Sequence, residues 1–359
     1  MLKKSLTFIT IIGFCSFLIS WGALGHKTIN GQCPGSFPTT MAAFGVWTDS
    51  LALHGSDADN RKNSDPSESP KHFIDIDSYS EFNSIGRIVS TYDSIVNLHG
   101  LSTVIKNGTL PWATKNTYDS LVVDFKKLNW HKAMLDASDL GHYVGDGHMP
   151  LHLASNYDGQ KTGQSGVHSR YETTMVSAYI TNLSNYTTEP VNLVTDVQNY
   201  IFTYIYKNQK LVDSVLLADK YATQLAGNTN STQYTAALWG KTQFTRTLFK
   251  NASHALAELI YSAWVEAGNP PYGAKLVPNI LNNPLTDKQL LVYPNPTDGK
   301  INFIGNIIIK TEVRDIAGKI LGAYYDNHID LRNLSNGVYL LNIYGKDGKF
   351  YNEKILLTK

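Results

Sequence analysis

Apolar residues along this chain change their period once, and the change divides it. Up to about Gly268 they recur at helical spacing. Phe244, Leu248, Leu256, Leu259, Ile260 and Trp264 fall along one helix face, and Ile201, Ile205, Leu211, Val212, Val215 and Leu216 repeat the pattern across 199–217. Asn269-Pro270-Pro271 stops the last of these segments, because proline brings no backbone donor to continue a helix. Farther on, short β-rich runs at 290–293, 301–304, 307–313, 337–344 and 354–357 are punctuated by Gly, Asn and Asp. The pattern predicts an all-α domain followed by a small all-β sandwich. Ahead of both, Lys3 and Lys4 precede an apolar run from Leu6 to Ile19, the order expected of a secretory signal peptide. The expected organisation is a signal peptide over 1–20, a helical domain over 21–270, a linker over 271–287 and the sandwich over 288–359.

Composition narrows this picture. With 359 residues, 42% of them hydrophobic, the chain is long enough for a sizeable core. A net charge of +1 supplies no field that would gather a polyanion by charge alone. The cysteines are Cys15 and Cys33, and the first is expected to leave with the signal, so packing or metal must stabilise the exported protein. Cys15 follows bulky Phe14, which makes it a poor lipid-attachment site. The early apolar run is too short for a permanent anchor, so no permanent membrane span is expected.

Candidate chemistry gathers in the helical part. Cleavage before Trp21 would expose a free α-amine that closes a five-membered chelate with its own carbonyl oxygen, and His26 stands close by. His142 and Asp146 lie four apart, one turn from each other on a single helix face. Pro150 ends or kinks that helix and brings His152 back from another direction. His168 and Glu172 repeat the four-residue spacing. Imidazole nitrogens and carboxylate oxygens are zinc's usual ligands, and facing helices can project them inward. His72 with Asp75, and the run Asp57-Ala58-Asp59-Asn60, add candidates. One such pair alone is more often a surface pair or a core histidine. Two pairs, a histidine after a proline and a chelating terminus in one domain point to a metal cluster. His99, His131, His148, His254 and His328 read as surface or core residues, and His54, close to Asp57, stays ambiguous.

The order of these features carries a resemblance. An N-terminal Trp21, an early His26, an acidic residue before His72-Phe73, then His142-x3-Asp146-x5-His152 and His168-x3-Glu172 resemble the zinc-dependent phospholipase C / S1/P1 nuclease superfamily over about 21–268. That resemblance implies an all-helical fold holding three zinc ions. One would take Asp57, His72, His142 and Asp146. A second would take the Trp21 amine and carbonyl, His26 and Asp146, which makes Asp146 the bridge. The third would take His152, His168 and Glu172. Asp59 is a close alternative to Asp57, and Asp49 a more distant one. The short spacing from Trp21 to His26 looks like the nucleases. The ending in Glu172, the run Asp57-Ala58-Asp59 and the segment Gly108-Thr109-Leu110-Pro111-Trp112 look like the phospholipases, and the reading leans to that branch. At the other end, Tyr293-Pro294-Asn295-Pro296, Thr297-Asp298-Gly299, the turn from Asp315 to Lys319, the stretch from Leu334 to Tyr339 and Lys359 resemble a type IX secretion sorting domain. This implies the type IX secretion machinery as a partner and export to the medium or the cell surface.

The activity so implied is that of a secreted zinc-dependent phosphoric ester hydrolase cleaving phosphodiesters by metal-activated water, with Asp57 and Asp146 as catalytic residues. Phospholipid is the expected substrate and single-stranded DNA or RNA the alternative. A non-catalytic, zinc-stabilised surface or binding protein is the reading from a different class. Phe73 is expected either to wall the site or to pack in the core, and Asp75 either to steady a ligand histidine or to cap a turn.

Overall fold

The computed structural model describes residues 22–274, 290–304, 308–346 and 350–359. The expected signal peptide, Trp21 and most of the expected linker lie outside the described residues. The chain divides into two compact units, one ending at Leu276 and the other beginning at Val277.

Among the described residues of the first unit, all regular structure is helical. Its centre is formed by Leu110–Lys126, Trp130–Gly147 and Thr245–Glu266, which pack on one another, with Val197–Gln209 against the first two. Thr245–Glu266 buries Leu248, Phe249, Ala252, Leu256, Leu259, Ile260, Ala263 and Trp264, the stripe that its spacing predicts. Each large apolar side chain so removed from water contributes roughly 1.5–3 kcal/mol. The helix stops where Gly268 and Asn269 take positive φ and Pro270-Pro271 follow. The periodic stretch 199–217 is two helices instead of one, Val197–Gln209 and Val212–Ala226. Buried Asn208 donates from Nδ2 to the Gly147 carbonyl at 3.0 Å, and Leu211 N bonds back to Asn208 O at 3.0 Å, which turns the chain between them.

The second unit holds two antiparallel sheets. One has the order β1 (Leu291–Tyr293), β2 (Lys300–Ile304), β5 (His328–Asp330). The other runs β4 (Ile320–Tyr324), β3 (Ile308–Arg314), β6 (Gly337–Gly345), β7 (Phe350–Leu357). Ile301, Phe303, Val313, Ile329, Leu341, Ile343, Ile355 and Leu357 share one core between them. The two strands that the sequence pattern did not mark, β4 and β5, are both edge strands. The first is largely exposed and the second is three residues long, so neither shows sustained alternation.

Candidate metal centre

The site begins with a close approach of two helices. Gly22–Gln32 lies against Trp130–Gly147, where a Cβ on Gly141 would stand 2.2 Å from Asn30 Oδ1 and 2.7 Å from Leu256 Cδ2. Only glycine fits there. Asn30 uses the space to donate from Nδ2 to the carbonyls of Leu51 at 3.2 Å and Ser138 at 3.0 Å, which fixes the crossing. The approach stacks His26 on His142, with ring centroids 3.8 Å apart and planes 13° from parallel.

Among the described residues there are three groups of metal-ligating side chains: His26, His142 and Asp146; Asp59, His72 and His142; and His152, His168 and Glu172. Within each group the ligand atoms lie within 4.8 Å of one another. Asp146, fully buried, joins the first two. Its Oδ1 lies 3.4 Å from His26 Nε2, whereas Oδ2 lies 3.1 Å from His72 Nδ1 and 3.4 Å from His142 Nε2. Asp59 Oδ1 is 3.5 Å from His72 Nδ1 and 3.6 Å from His142 Nε2. In the third group Glu172 spreads its oxygens between two rings, Oε1 3.0 Å from His168 Nε2 and Oε2 3.4 Å from His152 Nε2. Glu172 sits in a π-helical turn, Arg170–Met175, whose wider backbone alters the direction of its side chain.

Backbone carbonyls orient three of the rings. His142 Nδ1 donates to Gly55 O at 2.8 Å, His152 Nδ1 to His72 O at 2.5 Å, and His168 Nδ1 to Tyr157 O at 3.2 Å. Each bond places the proton on Nδ1 and leaves Nε2 as a donor to the centre. His142 Nε2 and His72 Nδ1 face each other at 3.0 Å. A proton on His72 Nδ1, or a cation shared between the two nitrogens, satisfies both. Nε2 of His168 makes no hydrogen bond of good geometry, as expected of an atom arranged for a metal, while Asp59 Oδ1 is paired with Lys62 Nζ at 2.5 Å, a cation that a bound metal would share the carboxylate with. Burial lowers the His26 imidazole well below its usual value, helped by His142 and opposed by Asp146, which keeps it neutral. Burial would raise Glu172, yet His168 and His152 outweigh it and hold the carboxyl low and ionised. Burial opposes charge on His142 and His152 as well, but Asp146 and Asp59 outweigh it and push His142 up to about 9, and Asp146 with Glu172 raises His152. Without a metal these two rings hold protons against the carboxylates, and zinc binding would displace them; buried imidazoles facing ionised carboxylates are a donor set that fits the metal implied by the resemblance.

Asp57, the acid expected here, is placed elsewhere. Its side chain is 41% exposed and pairs with His54 Nδ1 at 2.7 Å, while Asp59, two residues on, stands at His72 and His142 with 12% exposure. The reason is local: Ala58 of the one-turn helix Asp57–Arg61 is fully buried, and that anchoring turns Asp59 inward and leaves Asp57 in solvent. Asp49 is exposed on Thr48–His54. Asp75 makes no capping bond to the turn it precedes. His148 is buried and donates from Nδ1 to Val144 O at 2.8 Å. Sequence reasoning passed over Asn30, Gly141 and Glu68. The Gly141-x3-Gly145 spacing beside His142 and Asp146 was the available signal for a close helix contact.

Residues 291–358 match the family model of the secretion system C-terminal sorting domain. The C-terminal unit thus marks the chain for export, either released or attached to the surface. No described helix is long and apolar enough to cross a membrane. No curated protein matches the chain. Among solved structures, the alpha toxin from Clostridium absonum aligns at 14% identity over 94% of this chain and 96% of its own, with a TM-score of 0.44. The Clostridium perfringens alpha-toxin from avian strain SWCP aligns at 10% identity over 94% and 97%, also with a TM-score of 0.44.

Proposed function

We propose that the helical unit is a zinc-dependent phosphoric ester hydrolase, phospholipase C-like, that cleaves the phosphodiester of phospholipids outside the cell. The observation that carries this reading is Asp146, whose two oxygens face different histidine groups in a fully buried setting, with a third His-His-carboxylate group alongside. A lone structural zinc needs no shared carboxylate. Asp59, His72, His142 and Asp146 would hold one ion. His26 and Asp146, with Trp21 as the further donor, would hold a second, and His152, His168 and Glu172 a third. Zinc held there supplies Lewis acidity and lowers the pKa of water toward neutrality.

The chain's own residues do the rest. Asp146 would serve two sites, since one of its oxygens faces His26 and the other faces His72 and His142. Asp59 takes the catalytic role expected of Asp57, with a carboxylate close enough to the centre to take a proton from water. The donors are almost wholly removed from solvent, which strengthens every charge interaction among them. The choice of phospholipid rests on the phospholipase-like features of the sequence, Glu172 and the segment from Gly108 to Trp112. Purified protein with zinc, assayed on phosphatidylcholine and on denatured DNA, tests the reading. Chelator-sensitive release of phosphocholine is expected. Turnover of DNA alone would replace the lipid substrate with nucleic acid, and no turnover of either at full zinc occupancy would leave a zinc-stabilised binding protein.

A further inference from the structure

His72 is oriented by different means from the other ligand rings. His142, His152 and His168 each lean on a neutral carbonyl, but His72 Nε2, which makes no hydrogen bond of good geometry, faces a carboxylate, Oε1 of Glu68, at 3.5 Å. Glu68 is 1% exposed and stands just ahead of the short turn Ser69–His72, four residues before the ligand. Its two oxygens have separate surroundings. Oε2 receives Lys71 Nζ at 2.9 Å and Arg61 Nε at 3.3 Å, and Arg61 is itself held by Asp139 at 2.9 Å. Oε1 receives the Tyr143 hydroxyl, and that side is turned to His72. Burying a carboxylate is costly unless it is paired. Here two cations balance one oxygen and leave the other to act on the imidazole.

We infer that Glu68 is a positioning residue for His72: once a metal takes Nδ1, which faces Asp59, His142 and Asp146, the ring proton is left on Nε2 toward Glu68, and the carboxylate's charge strengthens Nδ1 as a metal donor. This rests on the zinc reading above. A carboxylate behind a ligand histidine raises the ring's basicity and fixes its tautomer, and loss of such a partner typically weakens metal binding about 10–100-fold. A carbonyl would orient the ring but lend it less charge, so His72 is the ligand most dependent on its partner.

The test is zinc affinity, measured by competition with a chromophoric chelator on the full chain as wild type, Glu68→Gln and Glu68→Ala. Glu68→Gln keeps the shape and an acceptor but removes the charge. It should weaken one zinc equivalent by about tenfold, and Glu68→Ala by about 10–100-fold, while the remaining equivalents bind as in the wild type. A purely structural role would instead lower the melting temperature of the zinc-free protein and weaken all ions together. If Glu68→Ala does not fold, Glu68→Gln decides alone. Wild-type affinity for every ion in Glu68→Gln, or an equal loss at all of them, overturns the assignment. A wild-type chain that binds no zinc would overturn the metal reading itself, a separate result.

Discussion

Replacing Gly141 with alanine sets two physical effects of opposite sign against each other. Alanine is the better helix residue, and in the interior of Trp130–Gly147 the exchange gains roughly 0.5–1 kcal/mol. Against this, the new methyl would meet Asn30 Oδ1 at 2.2 Å and Leu256 Cδ2 at 2.7 Å, in a place where both neighbours are fully buried. Overpacking of this kind costs about 1–3 kcal/mol. If Asn30 swings away to relieve it, two hydrogen bonds are lost, worth about 1 kcal/mol each. By either route the balance is a loss of about 1–2 kcal/mol. For a helical unit of this size that lowers Tm by roughly 2–8 °C. Because His26 rides on the displaced helix, zinc affinity should fall as well. Thermal melts followed by far-UV circular dichroism, with and without zinc, measure both. A Gly141→Ala protein that melts at or above the wild type would refute the claim that this crossing is sterically closed.

Further expectations concern the ligands and the surrounding acids. Asp59→Asn should release one zinc equivalent by elemental analysis while Asp57→Asn retains them all, since the exposed His54–Asp57 pair contributes at most about 1 kcal/mol. Zinc at a thousand times its Kd should stabilise the helical unit by about 4 kcal/mol, so a chelator should lower its melting transition; the sandwich, where no metal-ligating group occurs among the described residues, should melt unchanged. Burial, reinforced by Asp77, pushes the Asp75 carboxyl up to about 6. An acid that holds its proton more tightly when folded favours folding fully below its unfolded value near 4, and that contribution is lost as pH rises through about 6. Asp75→Asn should therefore melt higher than wild type near pH 7.5, with the gain vanishing near pH 4; a gain of equal size at both would contradict the burial account.

The parts of the site that were legible in the sequence are those where local geometry suffices. His142 with Asp146, and His168 with Glu172, are placed by helical repeat alone, and any helix through them brings each pair to one face. The choice between Asp57 and Asp59 was not legible, because it depends on which side of a one-turn helix docks, and that is set by tertiary burial of Ala58. Glu68 had no local signature: its role comes from Tyr143, Arg61 and Lys71 meeting around it, two of them on other elements. In the sandwich the alternation of β6 was readable, and the exposed edge strand β4 and the three-residue β5 were not. The division of 199–217 into two helices likewise depends on one distant contact, Asn208 to Gly147.

The reciprocal link between His72 and His152 has a consequence for how the centre is assembled. His152 Nδ1 donates to His72 O, and Ile74 N donates to His152 O at 2.8 Å, so two segments eighty residues apart are laced together at the ligands themselves. No N-terminal fragment ending short of Glu172 can contain a complete centre. Contacts of such sequence separation close late, after the entropy of the intervening chain has been given up. An ion arriving early in folding would meet scattered histidines with little grip, whereas one arriving late would meet a receptacle already built.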